Sequence, residues 1–88
     1  MPTRQAPLPP LGELELALLE LLWQAGACDV TQAHAAIGKR RGITPNTIGS
    51  ALERLYKKRL IARYKVSHAY RYEPAVGRDE FALSLIHI

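Results

Sequence analysis

The chain has 88 residues, 48% of them hydrophobic, and a formal charge of +4, which is enough for one small folded domain with a modest core and argues against disorder. A lone cysteine, Cys28, excludes an internal disulfide framework and fits a reducing compartment. The apolar run over 14–23 is short and carries Glu15 and Glu20, and MPTRQAPLPP lacks the apolar stretch of a signal peptide, so neither a membrane nor a secretory route is expected and the protein reads as cytoplasmic.

Residues 1–10, with Pro2, Pro7, Pro9 and Pro10, read as a flexible arm. Over 11–25, Leu11, Leu14, Leu18, Leu21, Leu22 and Ala25 recur at helical spacing, and Gly26 is a natural stop. Trp23 is expected as a packing anchor. A shorter helix is predicted over 30–38, with Thr31 as its N-cap, Ala33, Ala36 and Ile37 on its buried side, and Gly38 at its end. The following KRRG then reads as a solvated basic connection.

A third helix begins with Thr44 as N-cap and Pro45 at the first helical position, where proline is best tolerated. Ile48, Leu52, Leu55 and the stem of Arg59 are expected on its buried stripe. From Ile61 the period changes to two. Ile61, Arg63 and Lys65 alternate with Ala62, Tyr64 and Val66, a turn follows at Ser67–Ala69, and Tyr70–Glu73 continue the alternation to Pro74. Tyr64, Tyr70 and Tyr72 are expected to pack within this hairpin or on the helices. Whether a small strand near Ala27–Asp29 joins it is left open by the sequence. The expected fold class is α+β: a winged helix-turn-helix, three helices and then a β-hairpin wing, in one domain over 11–76.

Charge points to a partner. Between Lys39 and Arg71 ten cations face one carboxylate, Glu53, whereas the N-terminal part is net acidic. Such asymmetry suits a polyanion. With Ile48 inward, a 100° step per residue puts Asn46, Ser50, Glu53 and Lys57 outward, with Thr47 and Arg54 on the shoulder. The N-terminal part of such a helix carries most base contacts, and an Asn amide pairs with adenine. Thr44, Asn46, Thr47 and Ser50 are therefore candidate base or phosphate contacts, and Arg54, Lys57 and Lys58 candidate phosphate contacts. Arg41 in the connection and Arg63, Lys65, His68 and Arg71 in the wing complete the candidate DNA-binding set. Glu53 is awkward against phosphates and is expected to pair with Lys57 one turn on. Gly49, inside a helix, implies close approach of either DNA or the second helix.

The runs LGELELALLELLW, TPNTIGSALERLYKKRLI and RYKVSHAYRYEPAVGRDEF resemble the penicillinase-repressor family, of the BlaI/MecI/CopY type. The likeness spans about 11–81. It implies a dimeric repressor whose N-terminal winged helix binds a palindromic operator, with Asn46, Thr47, Ser50 and Arg54 facing DNA from the helix and Lys65, His68 and Arg71 from the wing. Arg59 stands where the family commonly has a helix-ending glycine, and Gly77 where it has a serine N-cap. FALSLIHI falls where the dimerisation region of the family begins, so residues 77–88 read as the start of a truncated C-terminal dimerisation segment.

No catalytic set, metal site or cofactor is expected. His34, His68 and His87 are scattered, Cys28 has no second cysteine, and Gly38, Gly42 and Gly49 match no phosphate-cradling loop. The leading expectation is thus a non-enzymatic, sequence-specific regulator bound to double-stranded DNA. Its rivals are a winged helix used for protein interaction and a non-specific nucleic-acid binder.

Overall fold

The computed structural model describes residues 11–81, so the arm expected over 1–10 and residues 82–88 of the expected dimerisation segment lie outside the described residues. Helix α1 spans Glu13–Ala25. Glu15, in its first turn, bends back to accept from Gly12 N–H at 2.9 Å, which satisfies a donor that the helix itself leaves orphaned. Gly26 ends α1 at φ 92, a backbone state that suits glycine.

The second helical run, α2 over 30–41, departs from the sequence expectation at both ends. Its N-cap is Asp29, not Thr31: Asp29 Oδ1 accepts from Gln32 N at 2.8 Å and Gln32 Oε1 from Asp29 N at 3.0 Å. Nor does Gly38 stop it. A π-helical turn over His34–Gly38 leads into Lys39–Arg41, and the helix ends at Gly42 in the left-handed region. The reason is packing. A Cβ at Gly38 would lie 2.7 Å from His34 Cδ2 and 3.2 Å from Ile48 Cγ1, so this glycine lets α2 approach the third helix. The supposed KRR connection is therefore the last turn of a helix.

Helix α3 spans Pro45–Lys57, capped by Thr44 Oγ1, which accepts from Thr47 N at 3.3 Å. It ends as a left-handed turn on Arg59, φ 65. Arg59 N–H bonds Tyr56 O at 2.9 Å and Leu60 N–H bonds Leu55 O at 3.1 Å, the paired bonds that close a helix over such a residue. Arg59 is consequently exposed rather than laying its stem on the core.

Three strands complete the domain: β1 Cys28–Asp29, β2 Ile61–Val66 and β3 Ala69–Pro74, antiparallel in the order β1-β3-β2. The strand left open by the sequence thus exists and pairs Cys28 with Tyr72 and Asp29 with Arg71. Ser67 and His68 form a two-residue turn with Ser67 at φ 60, since Val66 already faces Ala69. The core joins Leu18, Leu19 and Leu22 of α1, Ala33 of α2, Ile48, Leu52 and Leu55 of α3, and Leu60, Ile61 and Tyr72 of the sheet segment. Trp23 anchors the far end: its Nε1–H donates to Val76 O at 2.9 Å and its ring meets Phe81 edge-on at 5.7 Å. Beyond Gly77, whose N–H is bonded by Glu80 Oε1 at 2.8 Å, another helical turn begins.

Candidate nucleic-acid interface

Because Ile48, Ala51, Leu52 and Leu55 hold one side of α3 in the core, the opposite side has to face outward. Asn46, Thr47, Ser50, Arg54 and Lys57 are exposed. An open groove runs along this side, and Gly49, Val30 and Tyr72 are among the residues that line it. Thr44 is also exposed, but its hydroxyl is engaged: it caps the helix and lies 3.0 Å from Thr47 Oγ1.

Not every expected phosphate contact points to that surface. Lys58 turns to the opposite side, where its Nζ donates to both oxygens of Glu15, at 3.1 and 3.0 Å, with only 23% of its side chain exposed. Arg54 is divided between the two sides: its Nε lies 3.5 Å from Glu15 Oε2, yet 53% of its side chain is exposed. Burial pushes the Glu15 carboxyl up, but the Gly12 N–H, Lys58 and Arg54 together outweigh it and hold the group below the ordinary carboxylate range. In the sequence Glu15 stands out only as a charge within the apolar run over 14–23, and its role as the anchor of the α3 terminus depends on partners far along the chain.

Glu53 also departs from expectation. Its partners are in the wing rather than at Lys57: Arg63 Nη1 donates to Glu53 Oε2, and Tyr72 O–H donates to the same oxygen at 3.1 Å. The Arg63 guanidinium lies between two rings, 4.3 Å from the centroid of Tyr56 and 4.5 Å from that of Tyr70. Arg63, expected at the phosphates, is thus committed to bracing the hairpin against α3. Of the three hairpin tyrosines only Tyr72 is buried; Tyr64 and Tyr70 stay substantially exposed.

Elsewhere in the wing, Lys65 and His68 are exposed near its tip. Arg71 is part-buried instead, donating to Gln32 Oε1 and Ala27 O, each at 3.2 Å, and so ties β3 to the start of α2. Arg41 keeps a long 3.8 Å pairing with Glu13 and 41% of its side chain exposed. Lys39 and Arg40, now on the last turn of a helix, are exposed beside it. Among the described residues no three His, Cys, Asp or Glu side chains converge on a point that a metal ion could occupy, and no helix is long and apolar enough to cross a membrane.

A helical pair with an exposed polar third helix, followed by a hairpin braced against that helix, defines a winged helix-turn-helix domain. The model of the family described as Penicillinase repressor matches residues 11–87, and the chain belongs to that family. It is 38% identical over 82 residues to the transcriptional regulator BlaI of Mycobacterium tuberculosis, covering 92% of this chain and 59% of the relative. It is 26% identical over 69 residues to the penicillinase repressor of Staphylococcus aureus, covering 78% and 55% respectively. The chain therefore spans somewhat over half the length of these curated relatives.

The fold has the same likeness. A solution structure of the DNA binding domain of the repressor BlaI superposes with a TM-score of 0.73 at 21% identity, covering 86% of this chain and 93% of that one. The crystal structure of the antimony-specific transcriptional repressor AntR gives 0.60 at 23% identity, covering 84% and 60%.

Proposed function

We propose that this domain binds double-stranded DNA sequence-specifically and serves as the reading head of a cytoplasmic transcriptional repressor, with no catalytic role and no cofactor. The observation that carries this reading is the exposed face of α3. Asn46, Thr47 and Ser50 lie at its N-terminal half, cations follow at Arg54 and Lys57, and the hairpin braces the other end without covering them. That half would enter the major groove, with Asn46 reading a base edge. Arg40, Arg41, Arg54, Lys57 and Lys65 would neutralise phosphates and fix the register. Lys58, Arg63 and Arg71 are reassigned from DNA contact to bracing, because each is bonded within the domain.

Repression would be steric. Two copies on a palindromic operator, half-sites about 34–36 Å apart or a multiple of that, would occlude the promoter. The family membership and the relatives named as regulators and repressors support this reading.

The test is selection from a pool of random duplexes with sizing of the retained complex. A shared site, a stoichiometry of two per palindrome and a log–log salt slope near −4.5 per protomer, about −0.9 for each of about five phosphates, are expected. Asn46→Ala should cost about 1–3 kcal/mol at one base pair and relax the preference there. Equal displacement by every competitor sequence would instead favour a non-specific binder. A second reading has its own observation: Tyr64, Val66 and Tyr70 are 42–47% exposed on the hairpin. If the wing is a protein-docking module, the chain should show no salt-dependent retention on DNA.

A further inference from the structure

We propose that Glu53 is a positioning residue that sets the angle of the wing against α3 and thereby determines how well the wing engages DNA beside the recognition site. The inference rests on the DNA-binding reading above. A carboxylate on the groove-facing side of α3 repels phosphate, so its presence there calls for a compensating role. The geometry supplies one. Glu53 accepts from Arg63 of β2 and from Tyr72 of β3 on one oxygen, and these two residues are direct cross-strand partners. One acid therefore grips both strands of the hairpin at the same rung. Tyr56 of α3 and Tyr70 of β3 hold the Arg63 guanidinium from either side.

Everything beyond that rung projects from it. Lys65 is two residues further along β2, and His68 sits in the turn. At about 3.3 Å per residue the tip lies roughly 13 Å past the clamp. A tilt of about 20° at the clamp would displace the tip by roughly 4 Å and the Lys65 backbone, roughly 7 Å out, by roughly 2 Å, enough to stretch a charge-assisted hydrogen bond of about 2.8 Å beyond its working range. Loosening the clamp should thus pull Lys65 away from its phosphate while leaving Asn46 and Ser50 on the helix where they are.

Affinity alone does not isolate this role, because Glu53→Gln also removes a repulsive charge and can raise binding to every duplex. A double-substitution cycle does isolate it. On the duplex selected by the parent chain, Lys65→Ala should weaken binding about threefold to tenfold, the order of one phosphate contact. In a Glu53→Gln background the same substitution should change binding less than about twofold, since independent sites would have multiplied. Arg63→Met, which opens the clamp from the wing side, should blunt the Lys65 effect in the same way and covers the case in which Glu53→Gln fails to fold. An equal Lys65 factor in all three backgrounds, with only thermal stability lowered, would overturn the proposal and leave Glu53 a structural residue. Failure of the parent chain to retain any duplex would instead overturn the DNA-binding reading on which the proposal stands.

Discussion

Glu15 in the first turn of α1 and Lys58 at the end of α3 are joined by two hydrogen bonds, of 3.1 and 3.0 Å, across 43 residues of sequence. Both oxygens of the acid are used, one of them also by the N–H of Gly12, so a single carboxylate starts one helix and fixes the end of another. Removing one partner of a buried pair strands the other. Glu15→Ala is expected to cost about 2–3 kcal/mol, below the roughly 3–5 kcal/mol of a fully buried pair because the Lys58 head keeps some solvent, and to lower Tm by roughly 10 °C. Lys58→Met should cost less, since Gly12 and Arg54 still face the acid. It should also leave the salt slope of DNA binding unchanged, whereas Lys57→Ala should flatten that slope by about 0.9. Salt titrations of the two variants side by side separate a brace from a phosphate contact.

The same acid gives the domain a defined response to pH. Its folded pKa lies below the ordinary carboxylate value of 4.5. A group depressed in the folded state binds fewer protons there than in the unfolded chain. Its contribution is therefore complete above about 4.5 and is lost as pH falls through the lower folded value. Urea unfolding should show stability declining below pH 4.5, and Glu15→Gln, already weakened at pH 7, should decline less over that interval. Parallel curves for the two proteins would show that other carboxylates dominate.

These two residues also show where sequence reading succeeds and where it stops. Periodicity located α1 and α3 and the wing, because Leu18, Ile48, Leu52 and Leu55 obey a local rule that packing then respects. The Thr44-Pro45 start was legible for the same reason. The start of α2 is misplaced from sequence although the signal is present: Asp29 and Gln32 form a capping box whose N-cap lies two residues before Thr31. Gly38 reads as a stop in sequence because a glycine needed for helix–helix approach and a glycine needed for a turn look alike in one dimension. The hydrogen-bonding partners of Glu53, Lys58 and Arg63 are out of reach. Each lies ten or more residues away on another element, and in a cation-rich stretch every acid has several candidate partners nearer in sequence. Exposure of Asn46 and Ser50 followed from the stripe opposite them. Which cations point outward did not.

Arg59 carries a conformational cost that its side chain does not repay. It closes α3 at φ 65, and a non-glycine residue in that region costs about 1–2 kcal/mol. Part of any gain from glycine is offset by the greater freedom it gives the unfolded chain. Arg59→Gly should therefore stabilise the domain by about 0.5–1 kcal/mol. Arg59→Ala, which keeps the penalty, should leave Tm within a degree or two of the parent's (roughly ±0.5 kcal/mol). If both substitutions raise Tm alike, relief of charge crowding near Lys57 and Lys58 is the cause and the backbone is not.

Gly49 is the residue whose purpose the fold itself does not supply. Sequence alone allowed two reasons for a glycine there, approach to the second helix or approach to DNA. A Cβ at Gly49 would meet Val30 Cγ2 at 3.7 Å, an ordinary contact, so the helix packing tolerates alanine. Gly38 is the contrasting case, with 2.7 Å to His34. Alanine at 49 should thus stabilise α3 by up to about 1 kcal/mol through helix propensity, while alanine at 38 should destabilise the domain by about 1–3 kcal/mol through overpacking. Gly49 lines the groove together with Asn46 and Ser50. If the backbone there approaches a phosphate or a base edge closely, Gly49→Ala will be more stable than the parent and bind its selected duplex less well. Thermal melts and duplex titrations of that single variant, moving in opposite directions, would attribute the glycine to DNA. Improved stability with unchanged binding would remove Gly49 from the interface.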